Sequence, residues 1–239
     1  MGMGSVIRPI LRSFDELPMH TRLLADMFRK HGRAQQRNVT DVQDLDSRDA
    51  LALLDAAWKK DGPLPDDVAF SVKGKRPSPD DYLDAGYIGE HLDRFKDGAS
   101  RIYFSDSLHQ WGPGNDGTTF VFPTSELQKI LDDTGGNTAQ LADRLGLDAS
   151  DFLDKNGNPV QVEIRHFAPD ELSGLRMPTG NEAGANPKWV PGGYLPTGIP
   201  EAVIDIPKSA TGFGDVVGGH GSDYNPGLWP GTGQSLTLR

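Results

Sequence analysis

Glycine and proline constrain this chain most, and they are unevenly distributed. They supply 22 of the 66 residues from residue 174 onward, and 47 of all 239 (29 Gly and 18 Pro). Proline removes a backbone donor and glycine weakens both helices and strands, so this last part cannot hold long regular elements. Only 36% of the residues are hydrophobic, which is below the usual content of globular chains. The sequence therefore predicts a loop-rich fold with a modest core.

Hydrophobic periodicity divides the chain into a helical N-terminal part and a mixed remainder. Apolar stripes predict two early helices, at 18–31 and 47–60. Six prolines or glycines then mark a candidate linker at 61–79, which includes the basic tetrapeptide KGKR at 73–76. We interpret KGKR as a solvated loop, because four residues are too few to indicate a phosphate or localisation site. The predicted units are a helical region at 1–79 and a second domain at 80–239.

The second domain alternates helix signals with β-branched and aromatic runs. Ser78 followed by Pro79 predicts the start of a helix that extends to about residue 95. A capping box from Ser125 to Gln128 and an N-cap at Asn137 predict two more helices. The predicted helices cover 125–133 and 138–145, and the predicted strands cover 100–104, 118–122, 159–167 and 200–207. The fold class is therefore α+β: a helical N-terminal region, a small mixed or antiparallel sheet, and a Gly/Pro-rich C-terminal wrap.

Composition excludes several classes of function. The chain has no cysteine, which removes disulfides, cysteine nucleophiles and cysteine-ligated zinc. No run of 18 apolar residues and no signal-type apolar segment occurs, so we expect no membrane span and no classical signal peptide. The net charge of −10 opposes binding to the phosphates of duplex nucleic acid.

Common catalytic motifs are missing. HExxH, Walker A, G-x-S-x-G and G-x-G-x-x-G do not occur, and no two of the six histidines stand at helical ligand spacing. We therefore expect no metal site. What remains for chemistry is a set of Arg, His, Thr, Asn and Glu residues among glycine turns.

Three motifs in the C-terminal half are distinctive: RMPTGNEAGAN at 176–186, WVPGG at 189–193 and PEAVID at 200–205. With them, the region at about 80–207 resembles the C-terminal toxin domains of bacterial polymorphic toxins of the Rhs, contact-dependent or WXG-linked kind. This resemblance implies a secreted or injected effector that acts in the cytoplasm of a target cell. It also implies a cognate immunity protein as partner, and leaves residues 1–79 to bind a delivery chaperone or adaptor.

The order of residues is also similar to that of NAD-consuming toxins, namely ADP-ribosyltransferases and tuberculosis-necrotizing-toxin-like NAD glycohydrolases. These have a split β-sheet with an early Arg, a Ser/Thr-bearing strand and a late turn that delivers Glu. NAD is then the substrate and no bound cofactor is implied. A carboxylate can stabilise the oxocarbenium-like state, and an Arg fork can hold the pyrophosphate. The resemblance assigns catalytic roles to Glu201, Arg101 and His91, and substrate contacts to Arg94, Thr118, Thr119, Arg176, Asn181, Glu182 and Trp189.

The sequence also departs from these families. Ile199 stands where a transferase E-x-E or Q-x-E motif has its first acidic or amide residue, which favours hydrolysis over transfer to a protein. The arginine that usually precedes the glycohydrolase strand is absent from the stretch at 109–116. Which arginine holds phosphate therefore stays open, with Arg101 preferred to Arg94.

Two further functions remain open. A metal-independent ribonuclease of the barnase-like type needs an acid, a base and a cation. The residue types that suit it are His91, Lys96, Ser100, Arg101 and Thr118. The third possibility is a non-catalytic partner-binding module. In it, residues 1–79 would carry the binding function and neither NAD nor RNA would be a ligand.

Overall fold

The computed structural model describes residues 54, 56–114, 117–185, 188–195 and 197–207, and the backbone of 232–236. The predicted helix at 18–31, most of the one at 47–60 and nearly all of the glycine-rich tail lie outside the described residues. The helices are α1 (Pro65–Phe70), α2 (Pro79–Tyr82), α3 (Ala85–Asp93), α4 (Ser105–Trp111), α5 (Thr124–Thr134) and α6 (Thr138–Arg144). The strands are β1 (Ala99–Phe104), β2 (Thr118–Pro123), β3 (Val162–Phe167), β4 (Ala202–Asp205) and β5 (Thr232–Leu236).

The five strands form one antiparallel sheet in the order β4-β2-β1-β3-β5. Together with the helices it confirms the predicted α+β class. Pairing between β1 and β3 continues over all six residues of β1, from Ala99 to Phe104. Pairing between β1 and β2 has only two registered pairs, Ala99 with Pro123 and Ser100 with Phe122. The centre of the sheet is therefore open beyond Ser100.

The helix predicted from Pro79 to about residue 95 is interrupted. Leu83 is extended and forms a β-bridge with Trp58. Around it, Lys59 N donates to Tyr82 O and Asp84 N donates to Ala57 O, each at 2.9 Å. This pairing with a distant segment takes backbone groups that a continuous helix would need, so the prediction of one long helix is wrong.

Local signals account for the other helices to different degrees. Asn137 is the N-cap of α6, as predicted, because its side chain accepts from Gln140 N at 3.0 Å. The helix predicted at 125–133 is confirmed as α5, but the capping box is wrong. This helix begins at Thr124 after Pro123, and the Gln128 side chain instead donates to Asp132 at 2.7 Å. Helix α4 was not predicted from the sequence.

Three apolar clusters stabilise the described part of the chain. One lies between the sheet and α5–α6, with Phe122, Ile130, Leu141 and Ile164 buried in it. A second lies on the opposite side of the sheet around Phe95, Phe167 and Ile204. The third joins residues from before and after position 79: Leu54, Val68, Tyr82, Leu83, Met177, Trp189, Val190 and Tyr194.

The basic tetrapeptide at 73–76 also contacts the later part of the chain. Asn181 Oδ1 accepts from Gly74 N at 2.7 Å and from Arg76 N at 3.1 Å, and its Nδ2 donates to Arg76 O at 2.9 Å. Lys73 Nζ donates to the carbonyls of Ala183 and Ala185, both at 2.9 Å. The domain boundary after residue 79 stays a prediction, and the described residues on its two sides share a core. None of the described helices combines the length and apolar character that crossing a bilayer requires.

Candidate active site

An open cleft of about 290 Å³ lies where β1 and β2 stop pairing. Its walls come from β1, α4, the turn after α4, the start of β2 and the glycine-rich loop at 183–184. The lining residues are Arg101, Tyr103, Ser107, Leu108, Trp111, Gly112, Pro113, Gly114, Thr118, Phe120, Ala183 and Gly184. Arg101 and Thr118, both predicted as site residues, thus lie in one cleft.

The Arg101 guanidinium occupies the gap between the two strands. Its Nη1 donates to Thr119 Oγ1 at 2.6 Å and to Phe120 O at 3.3 Å. The guanidinium also lies 4.6 Å from the centroid of the Tyr103 ring. Nη2 and Nε have no protein partner among the described residues, so this half of the fork is available to an anion. Thr119 therefore orients Arg101, while Thr118 is the threonine that faces the cleft.

The turn after α4 is fixed to the sheet beneath Arg101. Tyr103 Oη donates to Pro113 O at 2.9 Å and lies 2.9 Å from Thr119 Oγ1. Leu108 is fully buried and holds the helix down, and Gly112 ends it with a φ of +76°. Residues with a side chain rarely adopt this φ, so glycine permits the turn at this point.

Glu201 lies directly before β4, at the end of a narrow turn. Its backbone N donates to Gly193 O at 2.7 Å, and Leu195 N donates to Ile199 O at 2.8 Å. Burial raises the pKa of the Glu201 carboxyl to about 8, while Arg101 lowers it and Glu182 raises it. Glu201 is therefore coupled electrostatically to both residues. It does not itself line the cleft.

His91 lies behind Glu201 in the core. It is 2% exposed, and its Nε2 lies 2.9 Å from the backbone O of Glu201. A carbonyl can only accept, so Nε2 carries the proton. Burial lowers the pKa of His91 to about 4, so the ring is neutral at pH 7. His91 thus fixes the backbone of Glu201 and does not face the cleft.

Glu182 and Asn181 belong to the loop that forms one wall of the cleft. Glu182 Oε1 accepts from the backbone N and the hydroxyl of Thr179 at 2.9 and 3.0 Å. Its second oxygen, Oε2, is buried without a partner among the described residues. Asn181 faces the segment at 74–76 rather than the cleft, so it positions the loop.

The remaining predicted residues lie elsewhere. Arg176 pairs with Asp205 at 2.7 Å and also donates to Gly174 O. Trp189 is 6% exposed and lies 4.4 Å beneath the Arg76 guanidinium. Arg94 is at the end of α3, close enough to His91 and Tyr194 to influence their pKa. The structure places none of these three in the cleft lining.

Sequence reasoning missed the other ten residues that line the cleft, among them the aromatic residues Tyr103 and Trp111. Tyr103 could have been found, because it is two residues after Arg101 in β1 and residues two apart in a strand lie on the same face. Trp111 gave no usable signal, because it ends the short helix α4, which has no capping side chain at its start.

Comparisons with known proteins give no relative. No family model, no curated protein and no solved structure matches this chain. Among the described residues, no group of three or more His, Cys, Asp or Glu side chains is arranged to hold a metal ion.

Proposed function

We propose that this protein cleaves the bond between nicotinamide and ribose in NAD. The observation that carries the proposal is that Arg101 lines an open cleft at the split between β1 and β2, with Glu201 close enough for this cation to lower its pKa. The resemblance to NAD-consuming toxins supports the proposal, because it implies a cation, a carboxyl and a split sheet in one site. The cleft volume is near the lower limit of roughly 300–1,000 Å³ for small-molecule sites, so it suits half of a dinucleotide.

The roles follow from position and charge. The open half of the Arg101 fork binds a phosphate oxygen, and Thr118 contacts the ribose from the opposite wall. Glu201 supplies negative charge as the ribose becomes cationic. Only the ionised carboxyl does this, and the pKa of Glu201 is about 8 in the free protein. Nicotinamide release should therefore increase with pH towards 8.

Nicotinamide release from NAD by the full chain tests the proposal. Glu201→Gln keeps the size of the side chain and removes the charge, so we expect roughly a 10²-fold loss of rate or more. Arg101→Lys keeps the charge and removes the fork, so its main effect should be on KM. Glu90→Gln, an exposed site on α3, is the matched control. A folded wild-type protein that releases no nicotinamide would refute the proposed function.

The wider biological role is proposed on the sequence motifs alone. It is that of a secreted or injected toxin of bacterial competition that acts in the cytoplasm of a target cell and is neutralised by an immunity protein. Residues 1–79 would bind a delivery chaperone or adaptor. The ribonuclease alternative relied on His91, and no observation in the structure favours it, since that ring is buried against Glu201.

A further inference from the structure

Trp111 is more exposed than the other two tryptophans of the described residues. Trp58 stacks on Tyr82 at 4.6 Å and donates to Pro63 O, and Trp189 is buried beneath Arg76. Trp111 is 45% exposed and lines the cleft. A large apolar ring exposed in a cleft is unfavourable in water and becomes favourable when a flat ligand covers it.

The segment that carries Trp111 is also joined to Arg101 by a chain of contacts. The chain of contacts runs from the Arg101 guanidinium to the Tyr103 ring, and from Tyr103 Oη to the carbonyl of Pro113. Gly112 N donates to Leu108 O at 2.9 Å, which closes the end of α4 beside the tryptophan. The cleft thus has a cation with an open donor face and an exposed indole, on segments that these contacts join.

We infer that Trp111 is a specificity-determining residue that stacks on the planar base of a nucleotide whose phosphate is bound by Arg101. A ligand that satisfies both groups must join an anion to a flat ring across a short spacer, and a nucleotide has this chemistry. This inference rests on the proposed function and names the part of the substrate that the cleft recognises. Ribose 5-phosphate has the anion and the spacer without the ring, so it should bind more weakly.

Calorimetric titration of the full chain with nicotinamide mononucleotide, AMP and ribose 5-phosphate tests this inference. At least one of the two nucleotides should bind more tightly than ribose 5-phosphate. Trp111→Ala should lower the affinity for that nucleotide by roughly 5- to 150-fold, the range for loss of one base-stacking contact. The same substitution should leave the affinity for ribose 5-phosphate unchanged. Trp111→Phe should retain most of the affinity, and Phe70→Ala, which removes an aromatic ring that is 71% exposed and does not line the cleft, should have no effect.

Two results would overturn the inference. One is that neither nucleotide binds more tightly than ribose 5-phosphate, and the other is that Trp111→Ala lowers the affinity for all three ligands equally. The titration also separates this inference from the proposed function. Ring-dependent binding without nicotinamide release would refute NAD cleavage and retain the stacking role. Nicotinamide release that is unchanged in Trp111→Ala, with unchanged nucleotide affinity, would refute the stacking role and retain NAD cleavage.

Discussion

The helical pair α5–α6 and the loop at 179–185 both lie against the sheet, yet different forces hold them. The helices bury apolar side chains such as Ile130 and Leu141, which are fully inaccessible to solvent. The loop is held mainly by hydrogen bonds, in which Asn181 and Lys73 join it to the segment at 73–76. Only the loop contributes to the wall of the cleft.

This difference separates stability from the geometry of the site. Apolar burial is large and non-directional, so the helical side supplies free energy of unfolding without fixing any one atom. Hydrogen bonds contribute less net free energy and are directional, so the loop side sets the position of the cleft wall. Substitutions in α5–α6 should therefore mainly lower the free energy of unfolding, whereas substitutions in the loop should mainly change the geometry of the cleft.

Ile130→Ala should have the largest effect on stability. It removes a fully buried side chain from the cluster under α5–α6, and such truncations cost about 2–5 kcal/mol. Urea unfolding followed by circular dichroism measures the loss, with Ile130→Val as a milder control at about 0.5–1.5 kcal/mol. Nucleotide affinity of the folded fraction should not change. A loss below about 1 kcal/mol in Ile130→Ala would contradict the role assigned to this cluster.

Gly193→Ala should combine a loss of stability with damage to the site. Gly193 has a φ of +81°, and a Cβ there would lie 2.6 Å from Met177 Cε and 2.8 Å from His91 Nε2. Overpacking of this kind costs about 1–3 kcal/mol, and the left-handed backbone adds about 1–2 kcal/mol. The new methyl group also pushes on the ring that fixes the Glu201 carbonyl.

Gly198→Ala is the matched control for this substitution. Gly198 has a similar φ of +86°, and a Cβ added there would have no neighbouring atom within 4 Å, so it isolates the backbone cost. Thermal unfolding of the two variants gives the packing contribution by difference, and nicotinamide release reports the effect on Glu201. Equal losses of stability in both variants would show that the contact with His91 is not tight.

His91 and Glu201 should have opposite effects on the pH dependence of stability. Burial lowers the pKa of His91 from 6.5 to about 4, so the unfolded chain binds the extra proton and stability increases with pH in this window. Burial raises the pKa of Glu201 from 4.5 to about 8, so the folded chain holds the extra proton and stability decreases with pH. The two effects cancel between pH 4.5 and 6.5, and only the Glu201 effect remains from pH 6.5 to 8.

Wild-type stability should therefore fall by at most about 2 kcal/mol between pH 6.5 and 8, at about 1.4 kcal/mol per pH unit. Glu201→Gln should abolish this fall and expose the rise below pH 6.5 that His91 causes. Urea unfolding at a series of pH values measures both slopes. An unchanged slope above pH 6.5 in Glu201→Gln would show that this carboxyl does not retain its proton.

The sequence predicted the parts of the fold that local signals determine. β-branched and aromatic runs located β1 and β2 to within a residue at either end, and Asn137 located the start of α6. The break at Leu83 could not be found in this way, because its cause is pairing with residues 57–59. Helix α4 was missed because it follows Phe104 without a capping side chain.

The same distinction applies to the site. The resemblance to NAD-consuming toxins selected Arg101 and Thr118, which line the cleft, and Glu201, which does not. His91 was selected as a catalytic residue, whereas its buried ring contacts the backbone carbonyl of Glu201, 110 residues away, which no sequence pattern indicates. Asn181 was selected as a substrate contact, whereas its side-chain amide forms three hydrogen bonds with the segment at 74–76.

Asn181→Ala should have the smallest effect on stability and the most local effect on structure. It removes three hydrogen bonds between the loop and the segment at 74–76, all at a partly exposed position, so we expect a loss of about 1–2 kcal/mol. Hydrogen exchange of the Gly74 and Arg76 amides should accelerate, while amides of α5 should exchange as in the wild type. Nucleotide binding should weaken, because Ala183 and Gly184 form one wall of the cleft. Uniform acceleration across both regions would show that the loop and the helices unfold together, and the division between a stabilising side and a positioning side would then be wrong.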